Sequence, residues 1–167
     1  MTSNLLFDFT VDKENNKINV KREFEGSLEL VWKAWTTPEL LDQWWGPQPW
    51  RAVTKKMDFR TGGYWLYAMT GPDGTKQWCI ANYISVIKEK FFKGKDGFCD
   101  EHGTINQSLP QTVWETSFTA KGTKVEVDIL LTYDRPEDLQ NIIDMGFKEG
   151  FTTGLNQLDE LLLTLNK

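Results

Sequence analysis

The chain has 167 residues, about the length of one domain, and 19 basic against 24 acidic residues give it a formal net charge of −5. This charge repels a phosphate backbone, so we expect no nucleic-acid partner. No apolar stretch approaches the ~20 residues of a transmembrane helix and the first residues do not resemble a signal peptide, so we expect a soluble, cytoplasmic domain without a membrane partner.

The first predicted element is a hairpin near the N-terminus. Apolar residues alternate with polar ones from Leu5 to Val11, residues 12–17 have turn chemistry, and the alternation continues from Ile18 to Phe24. Such alternation predicts two antiparallel strands that each bury one face.

Two short helices are predicted to follow. Ser27 is placed to cap a helix from Leu28 to Trp35, and Thr37 with Pro38 is placed to start a second helix that ends at residues 46–47. Five of the eight tryptophans lie in this part of the chain and directly after it. Because tryptophan combines a large apolar area with one N–H that needs a partner, this density indicates a thick core or an aromatic-lined binding surface.

Strands and turns are predicted from Trp50 to Tyr133. The sequence Gly-Pro-Asp-Gly at residues 71–74 is among the strongest short hairpin signals. Residues 91–103 contain many glycines and predict only a weak fourth strand. The predicted strands are Val53–Phe59, Tyr64–Thr70, Trp78–Ile87, this weak strand, Val113–Thr119 and Lys124–Tyr133.

The C-terminal part predicts one long amphipathic helix from Arg135 to about Leu165. Such a helix would be ~45 Å long and could cross the whole domain against a curved antiparallel sheet. Gly146, Gly150 and Gly154 follow one another at four-residue steps, although a glycine inside a helix costs roughly 1 kcal/mol relative to alanine. Two interpretations stay open, a ligand cavity beside the glycines, or close packing or a helix break near Gly146.

Four motifs occur in an order that resembles a known family. They are Val31-Trp-Lys-Ala-Trp-Thr-Thr-Pro-Glu-Leu-Leu-Asp-Gln-Trp-Trp-Gly-Pro47, Phe59-Arg-Thr-Gly-Gly63, Gly71-Pro-Asp-Gly74 and Gly146-Phe-Lys-Glu-Gly-Phe151. Over about residues 15–165 the chain is similar to homologues of the activator of the heat-shock-protein-90 ATPase, in the START-like, birch-pollen-allergen-like superfamily. The resemblance implies a single α+β domain over residues 1–167 with the helix-grip fold, in which a curved antiparallel sheet wraps around the C-terminal helix. Two short helices follow the first family strand, and residues 1–14 add an extra strand and turn.

The resemblance also implies a cavity between the sheet and the C-terminal helix. Trp44 and Trp45 match the family's Trp-Trp-Gly-Pro element, and they would point about 100° apart on a helix. We therefore expect one of them in the core and the other at the cavity mouth. For Arg60 and the glycines that follow it, matching an Arg-x-Gly-Gly turn, we favour structural roles. The candidate cavity residues are Trp44, Trp45, Trp50, Arg60, Trp65, Tyr67, Trp78, Trp114, Phe147, Gly150 and Phe151.

Candidate catalytic groups are few. The single histidine, His102, lies in a polar, loop-like stretch, where a solvated imidazole is the favoured interpretation. Glu115 could stand across a hairpin from Glu126 or Asp128, as paired acids do in glycosidases, but an ordinary polar sheet face is favoured. We therefore predict no catalytic residue, no metal site and no cofactor.

Three functions stay open on this basis. We favour the non-catalytic binding or carriage of a small hydrophobic or aromatic molecule in the cavity. The alternatives are a chaperone-associated stress-response interaction module and a small-molecule cyclase or hydrolase that uses polar groups of the cavity. The expected partner is a small apolar or aromatic ligand, and a chaperone contact and a homodimer stay open as well.

Overall fold

The computed structural model describes residues 5–166 and has an α+β architecture. Within that range, eight antiparallel strands form one sheet in the order β1-β2-β8-β7-β6-β5-β4-β3. The strands are β1 Phe7–Asp12, β2 Lys17–Glu25, β3 Arg51–Asp58, β4 Tyr64–Thr70, β5 Lys76–Ile87, β6 Phe91–Phe98, β7 Gln111–Lys121 and β8 Lys124–Thr132. The helices are α1 Leu28–Thr36, α2 Pro38–Trp44, α3 Pro136–Asp144 and α4 Phe147–Leu165. None of the helices in the described range is both long and apolar enough to span a membrane.

The path of the chain brings an early strand and the last strand together. Strands β3 to β8 follow one another as neighbours, and β2 then pairs with β8 instead of with β3. Helices α1 and α2 carry the chain from β2 to the opposite edge of the sheet. Register shifts between Thr54 and Lys56 and between Tyr83 and Ser85 mark β-bulges, which bend their strands. The predicted N-terminal hairpin is present as β1 and β2, with β1 as an added edge strand.

The face of the sheet that packs on α4, called the concave face below, forms the core. Strands β2 and β8 alternate buried and half-buried residues along their whole length, as the sequence predicts. Leu155, Leu158 and Leu162 of α4 are buried against this face, and each contributes roughly 2 kcal/mol through apolar burial. Their buried strand partners are Ile18, Val20, Phe24, Val125, Val127, Ile129 and Leu131.

One buried ion pair crosses this core. Arg22 lies in the buried row of β2, and its guanidinium pairs with the carboxylate of Asp159 in α4. The guanidinium also lies 4.8 Å from the centre of the Phe24 ring. Burial raises the pKa of Asp159, while the hydrogen bond and charge of Arg22 oppose that rise. The pair joins β2 to α4. Removing either partner would leave an uncompensated buried charge.

Helices α1 and α2 begin where the sequence predicts. The Ser27 hydroxyl oxygen accepts a hydrogen bond from the Leu30 N–H at 3.1 Å and so caps α1. Thr37 occupies the N-cap position of α2, but its hydroxyl donates to the Lys33 carbonyl at 2.8 Å and does not cap α2. Pro38 is the first residue of α2, a position where its missing N–H costs nothing.

The long C-terminal helix packs on the sheet as α4, but it is not continuous over residues 135–165 as predicted. Helices α3 and α4 meet at Gly146, whose φ of +85° lies in the left-handed region that glycine adopts without strain. The Gly146 N–H donates to the Ile143 carbonyl at 3.0 Å, and the Gly146 carbonyl accepts from the Gly150 N–H at 3.0 Å. A break at Gly146, which was left open above, is therefore present. Helix α4 has 19 residues and is ~28 Å long, well short of the expected length.

The weak fourth strand proves to be a full strand. Strand β6 pairs with both β5 and β7 along nearly all of its length. Gly94 suits this position because a Cβ there would lie 3.2 Å from the Asn82 carbonyl oxygen of β5. The glycine that weakened the prediction thus permits a close approach between strands.

Candidate functional site

A cavity lies between the concave face of strands β4 to β7 and the helices α2, α3 and α4. Its volume is about 240 Å³. Most of the wall is apolar, because tryptophan, phenylalanine and methionine side chains from both layers point into it. The cavity lies beside the N-terminal half of α4, whereas the C-terminal half of this helix carries the leucine core.

Four aromatic rings form one continuous wall. The Trp45 ring lies 5.6 Å from the Trp114 ring and 6.1 Å from the Phe151 ring, measured between centroids. Trp114 lies 5.7 Å from Phe151, and Phe147 stacks on Phe151 at 5.1 Å. These distances are usual for aromatic pairs in protein interiors, so each ring supports its neighbours at the edge of the open space.

Trp44 and Trp45 are adjacent in the chain but have different surroundings, although their ring centroids are 5.3 Å apart. Trp44 is 1% exposed, and its Nε1–H donates to the Ala34 carbonyl at 2.8 Å. Trp45 is half-buried, and its Nε1–H donates to the hydroxyl oxygen of Tyr67 at 3.1 Å. Both tryptophans line the cavity, but Trp44 belongs to the core and Trp45 reaches across to the sheet.

Gly150 and Gly154 fit both interpretations of the glycine row. A Cβ at Gly150 would meet Pro47 Cγ at 3.5 Å, and a Cβ at Gly154 would meet the Trp44 carbonyl oxygen at 3.5 Å. The glycines therefore let the connection between α2 and β3 pack closely on α4. Gln157 holds this packing, since its side-chain amide donates to the same Trp44 carbonyl at 3.0 Å. Both glycines also line the cavity.

The polar side of the cavity centres on Asp96, a residue that the sequence analysis missed. Asp96 in β6 is paired with Thr112 in β7, so both side chains point to the same face of the sheet. Burial raises the pKa of Asp96 to about 7, and donors on Trp114 and Thr112 oppose that rise. Trp114 Nε1–H is near enough to lower this pKa, yet it is buried and completes no hydrogen bond within the described residues. Alternation from the buried Phe92 would have indicated that Asp96 points inward, but the strand itself was predicted only weakly.

Three further polar groups lie close enough to Asp96 to be affected by its charge. Burial raises the pKa of the Cys79 thiol to about 12. Burial also raises the pKa of the Tyr67 and Tyr133 hydroxyls above their ordinary value of 10. All three groups are therefore uncharged at neutral pH. No lysine, arginine or histidine within residues 5–166 lines the cavity, so the carboxyl group of Asp96 has no cation beside it there.

Seven of the candidate cavity residues line the cavity, and four do not. Trp65 lies on the concave face, but its ring stacks on Tyr67 at a centroid distance of 4.0 Å and its Nε1–H donates to the Thr54 hydroxyl at 3.0 Å. It is therefore a second layer behind the wall. Trp50 lies against Gly71 in the turn between β4 and β5 and is outside the cavity lining. The seven lining residues are Trp44, Trp45, Tyr67, Trp114, Phe147, Gly150 and Phe151.

The other two lie on the outer surface. Because Cys79 points to the concave face, its neighbour Trp78 points to the convex one, where Lys55 and Lys76 approach its ring at 5.7 and 5.9 Å. Arg60 is exposed, and its Nε donates to the Asp58 carboxylate at 2.8 Å. Arg60 is therefore outside the cavity lining, and its structural role stays a prediction.

The candidate catalytic groups do not come together. His102 is exposed on a turn and is not among the residues that line the cavity. Glu115 is paired with Leu130 across the β7–β8 hairpin, so neither Glu126 nor Asp128 stands directly opposite it. Among the residues that the structure describes, no three histidine, cysteine or acidic side chains are grouped so that they could hold a metal ion.

Solved structures with the same fold come from several organisms. Protein Ms6760 from Mycobacterium smegmatis is 32% identical with a TM-score of 0.85, and the match covers 95% of this chain and 96% of that one. A protein from Arthrobacter aurescens is 30% identical with a TM-score of 0.88, and the match covers 94% and 91% of the two chains. The AHSA1 protein from Silicibacter pomeroyi shares the fold at 18% identity, with a TM-score of 0.68 and coverage of 89% and 98%.

The sequence comparison agrees with the structural one. A family model described as activator of Hsp90 ATPase homolog 1-like protein matches residues 25–163. A comparison with curated proteins finds no match. The matched range begins at the end of β2 and ends in α4, so it includes both layers around the cavity. The chain therefore belongs to the family of activator of Hsp90 ATPase homolog 1-like proteins.

Proposed function

We propose that this domain binds or carries a small hydrophobic or aromatic molecule in the cavity, without catalysing a reaction on it. The observation that carries the proposal is the unfilled volume of about 240 Å³ inside an apolar wall. The cavity is partly open to solvent, so a ligand can enter it. Large side chains surround this volume without collapsing into it, which is the usual form of a small-molecule site.

The wall is supported by contacts that do not depend on a ligand. The Trp45 indole is fixed by its hydrogen bond to Tyr67, and Tyr67 is stacked on Trp65. On the opposite side, Phe147 and Phe151 stack on one another along α4. A preformed site requires little reordering of side chains on binding, so most of the free energy of apolar burial is available for affinity.

One observation favours a second candidate function, a cyclase or hydrolase. Burial raises the pKa of Asp96 to about 7, the range in which a carboxyl group can donate or accept a proton at neutral pH. The nearby Cys79 thiol stays protonated, since its pKa is raised to about 12, and a thiol is a poor nucleophile. Turnover of a cavity ligand that disappears in Asp96→Asn would favour this candidate over carriage.

A chaperone-associated role rests on the family name alone. Contact with an Hsp90-type chaperone therefore stays a prediction, and so does a homodimer. Retention of the chaperone by the purified chain at physiological salt is the outcome expected if that role holds.

The favoured function predicts saturable binding of p-xylene, an apolar aromatic probe that needs no hydrogen bond. Each of the eight tryptophans has an indole N–H whose NMR signal can be followed in a titration. We expect the signals of Trp45 and Trp114 to move to a plateau, because both rings line the cavity. The signal of Trp78 should stay in place, because this ring lies on the convex face.

The two cysteines provide a matched pair of variants. Cys79→Phe places a phenyl ring in the cavity, whereas Cys99→Phe introduces the same ring outside its lining. We expect Cys79→Phe to weaken p-xylene binding about tenfold or more and Cys99→Phe to leave it nearly unchanged. Absence of saturable binding to the wild type, or equal weakening in both variants, would overturn the proposal.

A further inference from the structure

Asp96 is an isolated acidic group at one end of the apolar cavity. It lies opposite Thr112 in the β6–β7 ladder, and both residues line the cavity. The other polar groups near it are the hydroxyls of Tyr67 and Tyr133 and the thiol of Cys79, all of which keep their protons at neutral pH. Asp96 can therefore present an ionised carboxylate as a hydrogen-bond acceptor to whatever enters the cavity, and its protonated form still accepts on the carbonyl oxygen.

An unused donor lies at the same end of the cavity. Trp114 lines the cavity, and its Nε1–H is near enough to Asp96 to lower the pKa of that carboxyl, but it completes no hydrogen bond in the part of the chain that the structure describes. A buried N–H that makes no hydrogen bond loses its interaction with water and gains nothing in return. A ligand atom that accepts this proton would recover that loss.

An acceptor and a donor placed together discriminate between ligand head groups. A hydroxyl group can donate its proton to Asp96 and accept the Trp114 N–H on its oxygen. An ammonium group has no lone pair to accept the Trp114 N–H. Opposite ionised Asp96, a carboxylate has no proton to donate, and its charge would meet a second negative charge with no cation among the lining residues that the structure describes.

We infer that Asp96 and Trp114 bind the hydroxyl group of a phenol or an alcohol whose apolar body lies against the aromatic wall. The rings of Trp45 and Phe151, 5.6 and 5.7 Å from Trp114, would contact this body. The inference rests on the proposed function and adds the chemical class of the ligand to it.

The test compares p-cresol with p-xylene, because the two molecules have nearly the same shape and differ by a hydroxyl in place of a methyl group. Affinities are measured by calorimetry for the wild type, Asp96→Leu and Trp114→Phe. We expect Asp96→Leu to weaken p-cresol binding about tenfold and to leave p-xylene binding unchanged or tighter. Trp114→Phe keeps an aromatic ring and removes the donor, so it should weaken p-cresol selectively by about threefold or more.

Asp96→Asn serves as the conservative control, because its side-chain carbonyl still accepts a hydrogen bond. It should retain more of the wild-type preference for p-cresol than Asp96→Leu does. Binding of p-xylene to each variant shows that the domain is folded and that its cavity is intact. If p-xylene binds and Asp96→Leu changes both affinities in parallel, the inference is wrong while the proposed function stands. If p-xylene does not bind the wild type, the proposed function itself fails.

Discussion

Most acidic side chains face water, but the carboxyl group of Asp96 faces aromatic rings. Desolvation disfavours the charged carboxylate and is the main cause that raises the pKa of Asp96 to about 7. Donors on Trp114 and Thr112 compensate only in part. The charge of the cavity therefore changes near neutral pH, whereas Cys79 keeps its proton up to much higher pH.

The pKa of Asp96 predicts a pH-dependent stability. Its folded-state value of about 7 lies above the ordinary value of 3.8, so the folded protein binds more protons than the unfolded chain between these pH values. The stabilisation from neutral Asp96 is thus fully present below about pH 4 and is lost as the pH rises through about 7. Relative to the wild type, Asp96→Asn should gain stability between pH 5 and pH 8 by on the order of 3 kcal/mol.

Urea unfolding of both proteins at several pH values measures this difference. Other titrating groups, including Asp159, occur in both proteins, so their effects cancel in the comparison. A stability difference that stays constant from pH 5 to pH 8 would show that the carboxyl group titrates outside this range.

The sequence does not show which face of the sheet a strand residue lies on, and this limits what it can predict about the site. Trp78 and Trp114 both lie in strands that alternate, and nothing local marks which face becomes concave. The fold decides, since Trp114 lines the cavity and Trp78 lies between two lysines on the convex face. The expected divergence of Trp44 and Trp45 assumed that both lie in a helix, whereas α2 ends at Trp44 and Trp45 is its C-cap with extended backbone.

At the level of elements, α4 presents two different surfaces along one helix. Phe147, Gly150 and Phe151 face the cavity from its first half, and leucines from Leu155 onwards fill the core from its second half. The change from aromatic and glycine residues to leucines is visible in the sequence. The break at Gly146 was harder to predict, because glycine occurs both inside helices and at their ends.

The two glycines at the start of α4 predict opposite responses to alanine. Gly146 has a φ of +85°, where a Cβ is strained, so Gly146→Ala should lose about 1 kcal/mol of unfolding free energy. Gly150 is inside the helix, and a Cβ there would meet Pro47 at an ordinary contact distance of 3.5 Å. Gly150→Ala should therefore gain up to about 1 kcal/mol from helix propensity.

Thermal and urea unfolding of the two variants beside the wild type measure both changes. Equal effects of the same sign would mean that the helix is continuous through Gly146 or that Gly150 has no room for a methyl group.

The sequence predicted turns and helix starts well, because there the residue types themselves favour the backbone conformation. The turn at residues 71–74 closes with the Gly74 N–H donating to the Gly71 carbonyl at 3.0 Å, as its sequence indicates. The sequence predicted β6 only weakly because it contains Gly94. The reason for this glycine is its close approach to Asn82 in the neighbouring strand β5, which the local sequence does not show. Asp96 was missed for the same reason, since it lies in that strand.

At the scale of the whole molecule, the strand order explains where space is left. Strands β2 and β8 lie side by side and pack on the leucine half of α4, whereas β4 to β7 face its aromatic half across the cavity. The connection after α2 packs on Gly150 and Gly154 and holds α4 in position at this end. One helix therefore completes the core at one end of the sheet and covers an open volume at the other. The family resemblance predicted a cavity between the sheet and this helix, but not the division of α4 into a core half and a cavity half.

The existence of that open volume can be measured directly, because dry apolar cavities in proteins take up xenon. We predict that a crystal of the ligand-free protein pressurised with xenon contains at least one xenon atom in contact with Trp45, Trp114 and Phe151. The same treatment of Cys79→Phe should leave this site empty. Side chains that fill the space between α4 and the sheet in the wild type, with no xenon among these three rings, would contradict a binding cavity.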